Sequence, residues 1–191
     1  MARTVSTRQQ LIDTAVRLFS SNGFQRTSLD LIALESGVSK MTIFYYFKNK
    51  EDLVIAALEE AHQNCLASVR ELAMAKSSDS KTYLSAVFGA LEHLSTAGEL
   101  PNLYIRALAE FTDEDSPIRQ LITTHVRFVE KRFSTLAMES GFQDPEDVVR
   151  QLMTILRALY ATQICPAGGT GSICAKKMAD CVIKVSPAFA A

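Results

Sequence analysis

The chain has 191 residues, of which 48% are hydrophobic and 21% charged, with a formal net charge of −1. That is apolar material for one large core or two small ones, and no run of about 18 apolar residues marks a membrane-spanning helix. The opening MARTVSTRQQ lacks the apolar stretch of a signal peptide, so a cytoplasmic location is expected, with Cys65, Cys165, Cys174 and Cys181 as reduced thiols.

Strand signals are nearly absent and helical periodicity is continuous, so an all-α fold is expected. The first helix starts near Thr7, where Thr7 and Gln10 have capping-box spacing. Its apolar stripe is Leu11, Ile12, Ala15, Leu18 and Phe19, and Gly23 supplies a left-handed stop. A second helix follows with Thr27 as its N-cap. Leu29, Ile32 and Ala33 share one face of it, and Gly37 permits the sharp turn that comes next. Ser39 then caps a third helix over Lys40 to Phe44. The aromatic run Phe44-Tyr45-Tyr46-Phe47 closes it, with two rings expected to pack inward and the tyrosine hydroxyls free to reach phosphates. Two short helices joined by such a turn form a helix-turn-helix, whose second helix normally enters the DNA major groove.

A long fourth helix is expected from Asn49 or Lys50 to about Ala75, with Leu53, Ala56, Ala57, Ala61, Cys65, Ala67 and Leu72 on its apolar side. Punctuation sets the rest: Ser80 to Ala97, Pro101 to Thr112, Ser116-Pro117 to Gly141, Asp144 to about Ile164, and Ile173 to Val185. Charge divides the chain. Residues 1–50 hold seven Lys or Arg against three acidic residues, a net +4; residues 51–191 hold thirteen against eighteen, a net −5. The electrostatic footprint for DNA therefore lies at the N-terminal end. A DNA-binding domain over residues 1–50 and a second helical domain over residues 51–191 are expected.

The segments LIDTAVRLFSSNGF and TSLDLIALESGVSKMTIFYYFKNKEDL together resemble the DNA-binding domain of the TetR (tetracycline repressor) family of bacterial transcriptional regulators. The resemblance implies an N-terminal three-helix DNA-binding domain and a C-terminal helical domain for effector binding and dimerisation. It implies a repressor released from a palindromic operator by a small-molecule effector. Thr27 would hold a backbone phosphate at the start of the second helix, and Lys40, Met41 and Thr42 would open the groove-facing helix. Tyr45, Tyr46 and Lys50 would touch phosphates. Met41 stands where the family often has a small residue, which makes an apolar contact to a thymine methyl possible.

The family resemblance also implies a homodimer built on the last two long helices. Val148, Leu152, Ile155, Leu156, Leu159 and Tyr160 are the candidates on one, and Met178, Val182 and Ile183 on the other. For an effector cavity the apolar candidates are Phe88, Leu91, Tyr104, Leu108, Phe111 and Phe128, with His93, Arg106 and His125 as polar ones. Taken singly, each reads more simply as core or as a solvated polar group.

Other chemistries find less support. The cysteines lack zinc-ligand spacing, so no metal is expected, and small-hydrophobe roles are the simpler reading. A thiol-responsive regulator, or a DNA-bound interaction protein without a ligand, remains as the alternative. The Gly168-Gly169-Thr170-Gly171 run lacks the strand and lysine of a phosphate loop and reads as a connection. No Ser-His-Asp pattern is visible and the three histidines are scattered, so neither catalysis nor a cofactor is expected.

Overall fold

The computed structural model describes residues 6–162 and 174–187. The expected Gly-rich connection and Cys165 lie outside the described residues. Among these residues the chain forms nine helices: α1 (Thr7–Asn22), α2 (Leu29–Ser36), α3 (Lys40–Tyr46), α4 (Lys50–Met74), α5 (Ser80–Thr96), α6 (Leu103–Glu110), α7 (Pro117–Glu139), α8 (Pro145–Thr162) and α9 (Ala175–Val185). The all-α expectation holds. α6 is shorter at both ends than the span from Pro101 to Thr112 suggests. No described helix is long and apolar enough to cross a membrane.

Two compact units interleave along the sequence: residues up to Asn64 with Pro101–Ile122, and Cys65–Leu100 with the residues from Thr123 onward. The first is organised by local signals. Ser6, not Thr7, caps α1 by accepting the Gln9 N–H, and Ser28, not Thr27, caps α2 by accepting the Leu31 N–H. In both places two adjacent hydroxyl residues compete, and the one in extended backbone just outside the helix wins. Ser39 caps α3 as expected, accepting the Thr42 N–H. Asn49 caps α4 by accepting the Asp52 N–H at 2.8 Å, while Asp52 accepts the Lys48 N–H in return.

The two turns of this unit use glycine differently. Gly37 (φ 68°, ψ 15°) is left-handed, and the Val38 N–H bonds back to the Ala33 carbonyl. Gly23 was expected to be left-handed as well. It has φ 84° but ψ 169°, a combination open essentially to glycine alone, and it makes the turn into Phe24.

Phe24 is fully buried, its ring 4.9 Å from Phe19 and edge-on to Phe111 at 5.4 Å. α6 closes over the same turn. One Glu110 carboxylate oxygen accepts the Phe24 N–H at 3.1 Å and the other the Gln25 N–H at 2.7 Å. The Lys50 ammonium donates to the Phe24 carbonyl at 2.5 Å.

The second unit is a helical bundle in which α9 packs on α5 and α8. Phe88, Leu91, Phe133, Leu152 and Leu159 are among its buried core. A polar network joins two of the helices: Ser85 donates to Asp180 at 2.5 Å, and the Lys176 ammonium meets both, Asp180 at 2.6 Å and Ser85 at 3.2 Å. Asp144 caps α8 by accepting the Asp147 N–H.

Candidate nucleic-acid interface

α3 is a helix with one anchored side and one bare side. Ile43 and the following Phe47 are buried and fasten it to the unit's core. Phe47 alone of the four aromatic residues packs inward, where two were expected, and the Arg8 guanidinium lies 5.3 Å from its ring centroid. Phe44 is 49% exposed because it falls one residue past Ile43 on a helix whose inward face is a single residue wide. Met41 is 85% exposed and Tyr45 81%. The Tyr45 and Tyr46 rings meet edge-on at 5.0 Å, which holds the pair on the outer surface.

The polar residues of this helix are already engaged. The Lys40 ammonium sits 2.8 Å from Asp30 on α2, with both side chains at least half exposed. Such a pair contributes about 0–1 kcal/mol, little enough for an arriving phosphate to displace it. The Thr42 and Ser39 hydroxyls are 2.8 Å apart.

Two sequence-level candidates are spent within the protein itself. Thr27 has no exposed surface, and its hydroxyl donates to the Gly23 carbonyl at 2.8 Å, with the Leu18 carbonyl 3.3 Å away. Its hydroxyl therefore ties the α1–α2 turn, and Ser28 stands at the helix start in its place. Lys50 likewise turns inward to Phe24. Burial pushes its pKa below the ordinary lysine value, partly offset by the nearby Glu110 carboxylate. Sequence reasoning missed Ser28, although the Thr-Ser doublet was visible, and Phe44, although it lies three residues beyond Met41. Glu110 gave no signal, being more than eighty residues from the turn it caps.

The effector candidates fall in two groups. Tyr104, Leu108 and Phe111 belong to the first unit; Phe88, Leu91, His125 and Phe128 belong to the second. Phe88 and Leu91 are closed into the core, whereas Phe128 is 47% exposed. The Tyr104 hydroxyl donates to the Leu58 carbonyl, and its ring stands edge-on to His62 at 5.9 Å. Burial lowers the His62 pKa to about 4. Nearby in sequence, Arg106 Nε and Asn102 Oδ1 are buried without a hydrogen-bond partner.

The dimer candidates divide as well. Val148, Leu152, Ile155, Leu156, Leu159 and Ile183 are buried within their own chain. Helical periodicity showed an apolar face but not what it meets, and here it meets the chain's own core. Met178 and Val182 instead line an open groove of about 610 Å³ between α8 and α9, together with Gln151, Thr154, Ile155, Cys174, Lys177 and Cys181. Tyr160 is half-buried, its hydroxyl 3.8 Å from the Cys65 sulfur.

A capped helix pair around a left-handed glycine, with the second helix bare and basic residues around it, defines a helix-turn-helix, the motif whose second helix enters the DNA major groove. Comparison with known proteins agrees. Residues 11–57 match the family described as bacterial regulatory proteins, tetR family. Over 113 residues the chain is 32% identical to the fatty acid metabolism regulator protein of Bacillus subtilis, covering 59% of this chain and 57% of that one. Over 118 residues it is 34% identical to the transcriptional regulator TtgR of Pseudomonas putida, covering 60% and 56%. The chain thus spans somewhat more than half the length of these relatives. The crystal structure of SCO4454, a TetR-family transcriptional regulator from Streptomyces coelicolor, shares the fold over 93% of this chain and 94% of its own, with a TM-score of 0.85 at 22% identity. Residues 11–57 thus form a domain of the tetR family of bacterial regulatory proteins, and the rest of the chain shares the fold of a TetR-family structure.

Proposed function

We propose that this protein is a sequence-specific DNA-binding transcriptional regulator, a repressor that leaves a palindromic operator when a small-molecule effector binds. The observation that carries the reading is the bare face of α3, set in residues 1–50 with their net +4 charge, beside the match of residues 11–57 to the family. In this reading residues 1–50 engage DNA, and residues 51–191 bind the effector and dimerise. Lys40, Met41 and Thr42 open the groove-facing helix, while Tyr45 and Tyr46 hold phosphates. Ser28 and the free amides at the start of α2 take the phosphate contact first assigned to Thr27. Lys50 reaches a phosphate only by giving up its bond to Phe24.

A second copy is proposed to seat on the exposed sides of α8 and α9, with Met178 and Val182 in contact. Two recognition helices related by a two-fold axis would read half-sites about 34–36 Å apart. Effector binding then acts as a two-state bias that alters their separation, and losing one half-site forfeits most of the dimer's avidity.

The test is selection of random duplexes by the purified protein at two salt concentrations. Enrichment of an inverted repeat, with affinity falling steeply as salt rises, supports the reading. Recovery of unrelated sequences at both salt concentrations refutes it.

A further inference from the structure

We propose that α3 reads its operator chiefly through the 5-methyl groups of thymine, by an apolar stripe made of Met41, Phe44 and the ring of Tyr45, whose hydroxyl keeps its phosphate contact. This rests on the DNA-binding reading above and adds the chemistry of its specificity. The three residues are spaced i, i+3 and i+4, which places them on one helix face. All three are solvent-exposed, Met41 most of all. An exposed stripe of this kind on so short a helix has no function in the protein's own core, because Ile43 and Phe47 already anchor the helix on its other side.

What the helix lacks is equally informative. Its sequence KMTIFYY contains no Arg, Asn, Gln, Asp or Glu, the side chains that pair with guanine, adenine or cytosine edges in the major groove. Lys40, in a weak surface pair with Asp30, is the single candidate it offers for a guanine edge, and the Thr42 hydroxyl lies 2.8 Å from that of Ser39. The hydrogen-bonding vocabulary of base readout is thus nearly absent, whereas apolar surface is abundant. The only apolar feature that distinguishes bases in the major groove is the methyl group of thymine, which 5-methylcytosine also carries. The net +4 of residues 1–50 argues for a polyanion rather than an apolar protein surface as the occupant.

The experiment starts from the operator obtained by selection with the full chain. Each thymine is replaced in turn by deoxyuridine, which removes the methyl and leaves every hydrogen-bonding edge unchanged. Burying one methyl predicts about a fourfold loss of affinity at one or two thymines per half-site, and no change elsewhere. Met41→Ala is expected to weaken the thymine operator by a similar factor while costing nothing further on the matching deoxyuridine operator. Met41→Leu should retain the discrimination. Because Met41 is exposed, circular dichroism of the variants should match the parent protein. Deoxyuridine operators that all bind like the parent overturn the methyl reading and leave the regulator intact. Strictly additive losses for Met41→Ala and every deoxyuridine also overturn it. A selection that enriches nothing refutes the regulator reading itself.

Discussion

Removing the Glu110 side chain tests how the first unit is held together. Its two carboxylate oxygens accept the Phe24 and Gln25 amides at 3.1 and 2.7 Å, and the Lys50 ammonium lies beside it on the Phe24 carbonyl. Hydrogen bonds to an ionised group contribute about 1.5–3 kcal/mol each when well buried. One of these is only partly buried and the other exposed, so about 1 kcal/mol each is appropriate. Glu110→Ala should therefore destabilise the unit by about 2 kcal/mol. For a chain of this size that lowers the melting temperature by roughly 4–8 °C. It should also raise amide exchange at Phe24 and Gln25 about thirtyfold if both open with the turn. Glu110→Gln keeps one acceptor and should lose about half as much. Hydrogen exchange resolved to the 23–26 segment, beside urea unfolding, separates the local effect from the global one. Parent-like exchange at both amides in Glu110→Ala would refute the view that this carboxylate fixes the α1–α2 turn.

Gly23→Ala should cost about 1–3 kcal/mol by chemical unfolding, since φ 84° with ψ 169° suits only glycine. The new Cβ would also lie 2.7 Å from a Glu110 carboxylate oxygen, so a wild-type midpoint would contradict the described turn. His62 binds its proton less readily in the folded chain, with its pKa lowered to about 4 by burial, so stability falls as pH drops from about 6.5 toward 4. The full shift corresponds to about 3 kcal/mol, which partial exposure reduces to roughly 1 kcal/mol. His62→Gln should flatten that part of the pH–stability curve, and an unchanged slope would count against the assignment. Cys174 and Cys181 are exposed, whereas burial raises the Cys65 thiol pKa against the opposing Tyr160 hydroxyl. Maleimide labelling followed by peptide mass spectrometry should find the first two fast and Cys65 slow. If the α8–α9 groove seats a second copy, labelling of Cys181 should slow as protein concentration rises.

Much of the first unit was legible because its instructions are local. Ser39, Gly37 and Asn49 act on backbone within a few residues of themselves, so their roles follow from spacing and stereochemistry. The periodicity that buries Leu11, Ala15, Leu18 and Phe19 is equally local. Even there, the choice between Thr27 and Ser28 turned on which hydroxyl the packed turn enclosed, and that is a three-dimensional outcome.

What spacing could not reveal was the identity of the opposing surface. α8 announces an apolar face, yet only the folded chain shows Leu152 and Leu159 facing their own core while Met178 on α9 stays outside. Lys50 carries the charge of a phosphate contact, but its ammonium finds the Phe24 carbonyl. Glu110 carries no motif at all. The sequence by itself determined the helices, the Ser39 and Asn49 caps and the helix-turn-helix motif, since these depend on interactions within one or two turns. Only the tertiary structure decided which polar groups are consumed internally and which face solvent, because that depends on residues brought together from distant parts of the chain.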